Sequence, residues 1–406
     1  MTELPVKSFD PLQQPDTVFS IAHALLDSCP FGRSDKDGGF WVASGREQVL
    51  RVLQDRDTFH VGGETKAVRI PPDPEGFNRP LMPPQDVNPP LHRAFRAILN
   101  PHLAPAPLHA HEHDVRRTIG GLIDAFVPDG RCDVATSLAK VFPARVTFTD
   151  VFGIDDLEET EMVRRWVERI IYGRFREDPE VLGQLQRSWN EWTLDLIAQR
   201  RRHRRDDVLD ALIFGSVEGG RPVAEMEVVG AIQVLILGGF MTTSDAACNL
   251  IVALIEHPTL QERLASDRSL IPKLIEEVLR LEPPVGARVR RCTATTKIDG
   301  HTVHPGDRVL VHLVAANRDP DEFVHPDDLD LGRPSNRHLA FGAGIHRCVG
   351  SNLARMTLQI ALEELLERVR DISFAPGQRE TRLGLSGATW RLVDSLPIEF
   401  RARRLR

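Results

Sequence analysis

FGAGIHRCVGSNLAR, residues 341–355, decides how the rest of the chain is read. Gly342 and Gly344 permit tight, backbone-led geometry. Cys348 follows them, just ahead of a helical pattern running through Leu353, Met356, Ile360 and Leu365. A sulfur at a helix N-terminus is stabilised as thiolate by the helix dipole and by backbone N–H groups aimed at it. Such a sulfur can act as nucleophile or as metal ligand. Most lone cysteines are inert core residues. Here the glycines, His346 two residues earlier and the helix start weigh against that. Zinc would need further Cys or His ligands nearby. A phosphate-binding loop would need Gly-Lys-Ser/Thr after its glycines, and this loop has none.

Working outward, the chain has 406 residues, 41% hydrophobic and 27% charged, within the range of ordinary globular proteins rather than disordered ones. A net charge of -7 and a pI near 6.1 argue against a nucleic-acid partner. The basic run Arg200–Arg205 is then expected to be a solvated loop. The start, MTELPVKSFD, shows no basic region followed by an apolar stretch. The longest apolar segment, Val228 to Met241, is interrupted by Gln233 and is expected to be too short to span a bilayer. Cys29, Cys132, Cys248, Cys292 and Cys348 are scattered, with no CxxC. That disfavours a disulfide framework. The expectation is a cytoplasmic protein with no membrane span and one special cysteine.

No internal repeat or low-complexity linker divides the chain, so residues 1–406 are expected to form a single domain. Ile70 to Pro107 is rich in proline and glycine and reads as loop before a helix around His92. Helical patterns cover Asp155–Tyr172, Val181–Arg200 and Pro258–Ala265. From Arg288 to Val314, alternation around Asp299-Gly300 and Pro305-Gly306 reads as a hairpin. A further β pattern covers Trp390 to Phe400. The result is a mainly α fold with small β-sheets and no βαβ series. Between Pro222 and Pro258 a helix of about 33 residues is expected, Ala224 to Glu256, with its apolar first half buried all round. Gly238, Gly239, Thr242 and Thr243 are poor helix formers at its middle. They mark either a close helix crossing or a gap that admits a ligand.

The loop resembles the haem-binding segment of the cytochrome P-450 family, F-G-x-G-x-H-x-C-x-G, through Phe341, Gly342, Gly344, His346, Cys348 and Gly350. The resemblance implies a triangular domain with a long central helix over haem b, and Cys348 as the proximal thiolate on iron. Other positions fall in family order. Glu277 and Arg280 match its E-x-x-R pair, a structural brace whose i, i+3 spacing lets the side chains meet. His92, Arg96, Arg290 and His346 match the groups around the two haem propionates. Gly238 to Thr243 matches the oxygen-binding stretch, with Thr242 at the oxygen-contacting threonine. Met241 stands where an Asp or Glu is usual, and methionine cannot carry a proton. Asp245, one turn on, is the nearest acid; its default reading is structural, with a water-linked proton role as the alternative.

The function this resemblance implies is that of a monooxygenase placing one oxygen atom of O2 into a small hydrophobic substrate, by hydroxylation, epoxidation or O-dealkylation. No flavin or iron–sulfur segment lies beyond Cys348, so electrons from NAD(P)H are expected through a ferredoxin or flavodoxin and its reductase. Arg93, Arg96 and Arg347 would give the carrier a basic face. By position the pocket should include the Val61 to Met82 loop, Leu237, Gly238, Val285, Ala287, Thr389 and Trp390, suiting a terpenoid or aromatic substrate. A peroxide-driven peroxygenase and a haem-thiolate sensor without turnover are the alternatives.

Overall fold

The computed structural model describes residues 9–10, 18–62, 67–70, 73, 79–173, 177–386 and 390–403, with the side chains of residues 18 and 383–392 outside the description. The expected long helix is present as Glu225–Glu256, 32 residues. Its first turn is capped by the side chain of Glu227, which accepts from the Ala224 N–H at 2.8 Å. At the other end Pro258 already opens the next helix, Pro258–Ser266. Val228–Met241 of this central helix pack in one apolar cluster with the helices Leu157–Gly173 and Pro179–Arg202. Ala246–Leu254 pack in another with the helices Ile271–Leu281 and Ser351–Arg368. The helix opens on a cavity near where the two clusters meet, at Gly238 and Thr242.

By length and composition the central helix could cross a bilayer, contrary to the expectation from its interrupted apolar run. Here it is a core element. Gln233, fully buried, is satisfied from the Pro179–Arg202 helix. It accepts from Gln186 at 3.1 Å and donates to Asn190 at 2.9 Å. That helix also corrects the basic run. Arg200, Arg201 and Arg202 form its last turn, and Arg200 is buried, paired with Asp207 at 2.6 Å and donating to the Phe152 carbonyl. Only the remainder of the run is solvated.

The strands lie at the edge of the helical body. In chain order they are β1 (Phe31–Ser34), β2 (Phe40–Ala43), β3 (Phe59–His60), β4 (Arg131–Asp133), β5 (Ala287–Cys292) and β6 (Thr296–Ile298). Then come β7 (His301–Val303), β8 (Arg308–His312), β9 (Val369–Phe374), β10 (Thr381–Ser386), β11 (Trp390–Ser395) and β12 (Pro397–Ala402). One sheet has the order β1-β2-β8-β5-β3 and another β4-β12-β9, with β6-β7 and β10-β11 as hairpins. The β6–β7 turn uses Asp299 and Gly300, both at positive φ (48° and 79°), as the Asp-Gly signal requires. The sequence pattern did not show that β8 leaves this hairpin to pair in parallel with β2. Nor did it show that residues 390–400 divide between two sheets.

Candidate active site

One internal cavity is shared by the loop at 341–350 and the middle of the central helix. The loop is closed by its own backbone: Gly342 N–H donates to Leu339 O at 2.8 Å, and Cys348 N–H to Phe341 O at 2.9 Å. Gly344 sits at φ +68°, and a Cβ there would lie 2.2 Å from the Leu53 carbonyl oxygen, so only glycine fits. Gly350 caps the helix that starts at Ser351. Cys348 is exposed, and it lines the cavity, so its open face is the cavity itself. Burial raises the thiol above its ordinary pKa, outweighing the Gly350 N–H and the charges of Arg288, Arg96 and Arg347. The helix start therefore does not by itself produce a thiolate; a metal ion would have to displace the proton.

Around the sulfur the expected cluster assembles. His92, Arg96, Arg290 and His346 all line the cavity, with the two imidazole rings 4.3 Å apart. Arg96 donates to the Arg347 carbonyl at 2.7 Å, tying the helix Leu91–Leu99 to the loop. Burial, then the positive charge of Arg96, lowers His92 to about 4. Burial, then Arg290, His92 and Arg96, lowers His346 to about 2, so both rings are neutral donors at pH 7. Nε2 of His92 is buried with no hydrogen-bond partner. Among the described lining residues there is no Asp or Glu. A buried cluster of cations and an orphaned imidazole nitrogen, with no carboxylate to balance them, fits the two propionates of a haem. The glycine-lined loop beside Cys348 fits its face.

Glu277 and Arg280 form the expected pair, and it is buried, with Arg280 at 0% and Glu277 at 1% exposure. Two parallel bonds join them at 2.9 and 3.0 Å. Arg333 and Asn336 add bonds to the same carboxylate at 3.0 Å each. Sequence reasoning missed both, because each reaches Glu277 from a turn-rich segment with no periodicity. A second brace was also missed. Glu276, on the neighbouring helix position, accepts from Arg355 at 2.7 and 2.8 Å and meets His338 at 3.1 Å. Burial pushes Glu276 up, but those bonds overcome it and hold its carboxyl at about 2. Arg355 in turn stacks over Phe341 at 4.4 Å.

On the central helix, Gly238 and Thr242 line the cavity, and Thr242 Oγ1 donates to Gly238 O at 3.0 Å. Both sequence readings of the glycines hold, one for each. No atom lies within 4 Å of a Cβ placed on Gly238, which opens on the cavity. A Cβ on Gly239 would lie 2.6 Å from Thr147 Oγ1, a close crossing.

Three expected residues of the same helix are elsewhere. Leu237 and Met241 are buried in the apolar cluster with Trp189 and Phe148, and Asp245 accepts from the Val393 N–H of β11 at 3.0 Å. None of the three lines the cavity. Positions 237, 241 and 245 follow an i, i+4 series on one helix face, while 235, 238, 239, 242 and 246 fall on the other. Burial raises Asp245 well above the usual carboxylate range, in keeping with a structural acid. Val285 lines the cavity as expected, but Ala287 is fully buried with Phe9 and Phe40 behind β5. Val61 lines it too. Thr389 and the Trp390 side chain lie outside the described residues. Of the three arginines expected to form a docking face, Arg93 and Arg347 are exposed and Arg96 is half-buried.

The Cytochrome P450 family model matches residues 190–380. Cytochrome P450 107B1 of Saccharopolyspora erythraea is 31% identical over 88% of this chain and 88% of its own. Cytochrome P450-terp of a Pseudomonas species is 26% identical over 95% and 94%. The crystal structure of CYP108D1 from Novosphingobium aromaticivorans superposes with a TM-score of 0.86 at 25% identity, covering 99% of both chains. With the loop and the opened helix on one cavity and the Glu277–Arg280 pair buried outside it, the chain belongs to the cytochrome P450 family of bacterial haem-thiolate monooxygenases.

Proposed function

We propose that Cys348 is the axial thiolate of haem b and that Thr242 is the cavity's proton-handling hydroxyl. The observation that carries this is that Cys348, from the loop, and Thr242, from the central helix, open on one cavity whose described lining holds no acid. Bound haem supplies the activation of O2 with two electrons and the insertion of one oxygen atom into the substrate. The protein holds that group through backbone and cations. His92, Arg96, Arg290 and His346 would meet its anionic edge, while Gly342 and Gly350 would let the loop approach it and Gly344 seats the loop against Leu53. Thr242 Oγ1 gives its hydrogen to Gly238 O and keeps its lone pairs toward the cavity, so it can receive a proton from water and pass one on. Met241 and Asp245 take no part in that transfer on this reading, because their side chains face away.

The substrate body rests on an apolar wall that includes Val234, Leu235, Pro284 and Val285, which suits a compact terpenoid or aromatic skeleton. Residues 1–406 act as one domain in the cytoplasm. Arg93 and Arg347, exposed beside the Cys348 loop, meet an acidic carrier, a ferredoxin or flavodoxin reduced at the expense of NAD(P)H. Reconstitution with a ferredoxin, its reductase and isotopically labelled O2 tests the reading. One labelled atom per product, dependent on NAD(P)H, is expected. Product formed equally well from peroxide without carriers would replace it with the peroxygenase reading.

A further inference from the structure

Among the described residues that line the cavity, Gln85 carries the only side-chain carbonyl oxygen. The other polar side chains there are arginines, histidines, threonines and Cys348. The Gln85 amide is held by its neighbour Asp86, to which Nε2 donates at 3.3 Å. Asp86 is 2% exposed and also accepts from Arg79 at 2.7 Å, from the Met82 N–H at 3.3 Å and from Arg69 at 3.4 Å. Burial pushes its carboxyl up, but the charges of Arg79 and Arg69 overcome that and hold it below the ordinary range, so Asp86 is ionised at neutral pH. An ionised carboxylate can only accept, so the Gln85 amide must turn its NH2 toward Asp86 and its oxygen away from it. The segment that carries Gln85 is fixed on both sides. Before it, Gly230 of the central helix admits the Leu81 carbonyl, with which a Cβ would collide. After it, Asn88 accepts from the Val61 N–H at 3.1 Å and donates to the Gly62 carbonyl at 3.0 Å.

We infer that Gln85 is a specificity-determining residue whose carbonyl oxygen accepts a hydrogen bond from a hydroxyl group of the substrate, making the substrate class compact alcohols and phenols. The inference rests on the haem-thiolate reading above and narrows its substrate. A carbonyl covered by a ligand that cannot donate loses its hydrogen bond to water and gains none, so the site selects against an analogue without the hydroxyl hydrogen. The arginines of the lining are donors only and cannot supply this contact. The hydrocarbon skeleton is left to the apolar wall that includes Val234, Leu235 and Val285.

The test uses the ferric holoprotein and two matched pairs: 4-isopropylphenol with its methyl ether, and menthol with its methyl ether. Each ether keeps the oxygen and the skeleton but has no hydrogen to donate. Dissociation constants come from the Soret spin-state shift, and from calorimetry where there is no shift. At least one hydroxyl compound should bind about 3–10-fold more tightly than its ether. Gln85→Leu and Gln85→Met should each remove that preference by weakening the hydroxyl compound alone, with the ether changed by less than about twofold. The inference is overturned if neither hydroxyl compound is bound or preferred, or if the preference survives either substitution. It is also overturned if the preference disappears only as the variants lose haem, since Gln85 would then serve the cofactor. The carbon monoxide band of each reduced sample separates the two claims. Its absence from the wild type would defeat the haem-thiolate reading, whereas a full band without hydroxyl preference defeats this inference alone.

Discussion

The loop that carries Cys348 and the middle of the central helix face the same cavity but are held by different means. Behind the loop lies a buried ionic brace in which Glu277 serves Arg280, Arg333, Asn336 and the Asp330 N–H at once. The helix instead opens the cavity by omission, with no side chain at Gly238 and a tight crossing at Gly239. The cofactor side therefore depends on every polar partner being present. The substrate side depends on volume and on which face of each element turns inward.

Removing one partner from the brace should do the most damage. Glu277→Ala leaves two arginines without their shared carboxylate, one of them fully buried, and should cost about 3–5 kcal/mol. Little folded, haem-loaded protein is expected, as measured by haem content and chemical unfolding. Normal loading would show that the loop does not depend on its brace. The helix should respond differently at two adjacent positions. Gly239→Ala pushes a methyl group against buried Thr147 and should destabilise by about 1–3 kcal/mol. Gly238→Ala meets no atom, so it should stabilise the unliganded protein by up to about 1 kcal/mol while weakening substrate binding. Equal unfolding midpoints for the two variants would show that the opening is not where the structure places it.

A smaller effect is expected from pH, away from the cavity. His312 is fully buried, its Nδ1 accepts from Ala315 N–H at 3.1 Å, and burial followed by Arg318 lowers it to about 4. The unfolded chain takes up this proton near the ordinary value of 6.5 and the folded chain does not. Its contribution to stability is thus complete above 6.5 and is lost as pH falls toward 4. Between pH 7 and pH 5 the loss should be about 2 kcal/mol. His312→Gln should lack that component of the slope in denaturant titrations at the two pH values. An unchanged slope would show that the imidazole is protonated in the fold.

The cofactor side was legible in the sequence because its determinants are contiguous or locally spaced: six loop positions, an i, i+3 pair, and His92 with Arg96 one turn apart. The long helix was legible because two prolines bracket an apolar stretch. What could not be read from a family position alone was the rotation of each element. Leu237 was placed on the cavity by position, and Met241 and Asp245 were weighed for proton delivery, Asp245 with a structural role as its default; all three lie on the other helix face. Ala287 was chosen where alternation from Arg290 selects Arg288. Phasing each element from its one secure residue would have found both. Arg333, Asn336 and Arg355 had no such signal, since their partners lie tens of residues away in the chain.

Everything proposed for the cavity depends on Cys348 ligating the iron, and the carbon monoxide difference spectrum of the reduced holoprotein measures that ligation. A band at about 450 nm is expected for the wild type, because thiolate ligation persists on reduction, and its loss is expected in Cys348→Ala reconstituted with haem. A Cys348→Ala protein that keeps the band, or a wild type that never shows it, would mean that Cys348 is not the ligand.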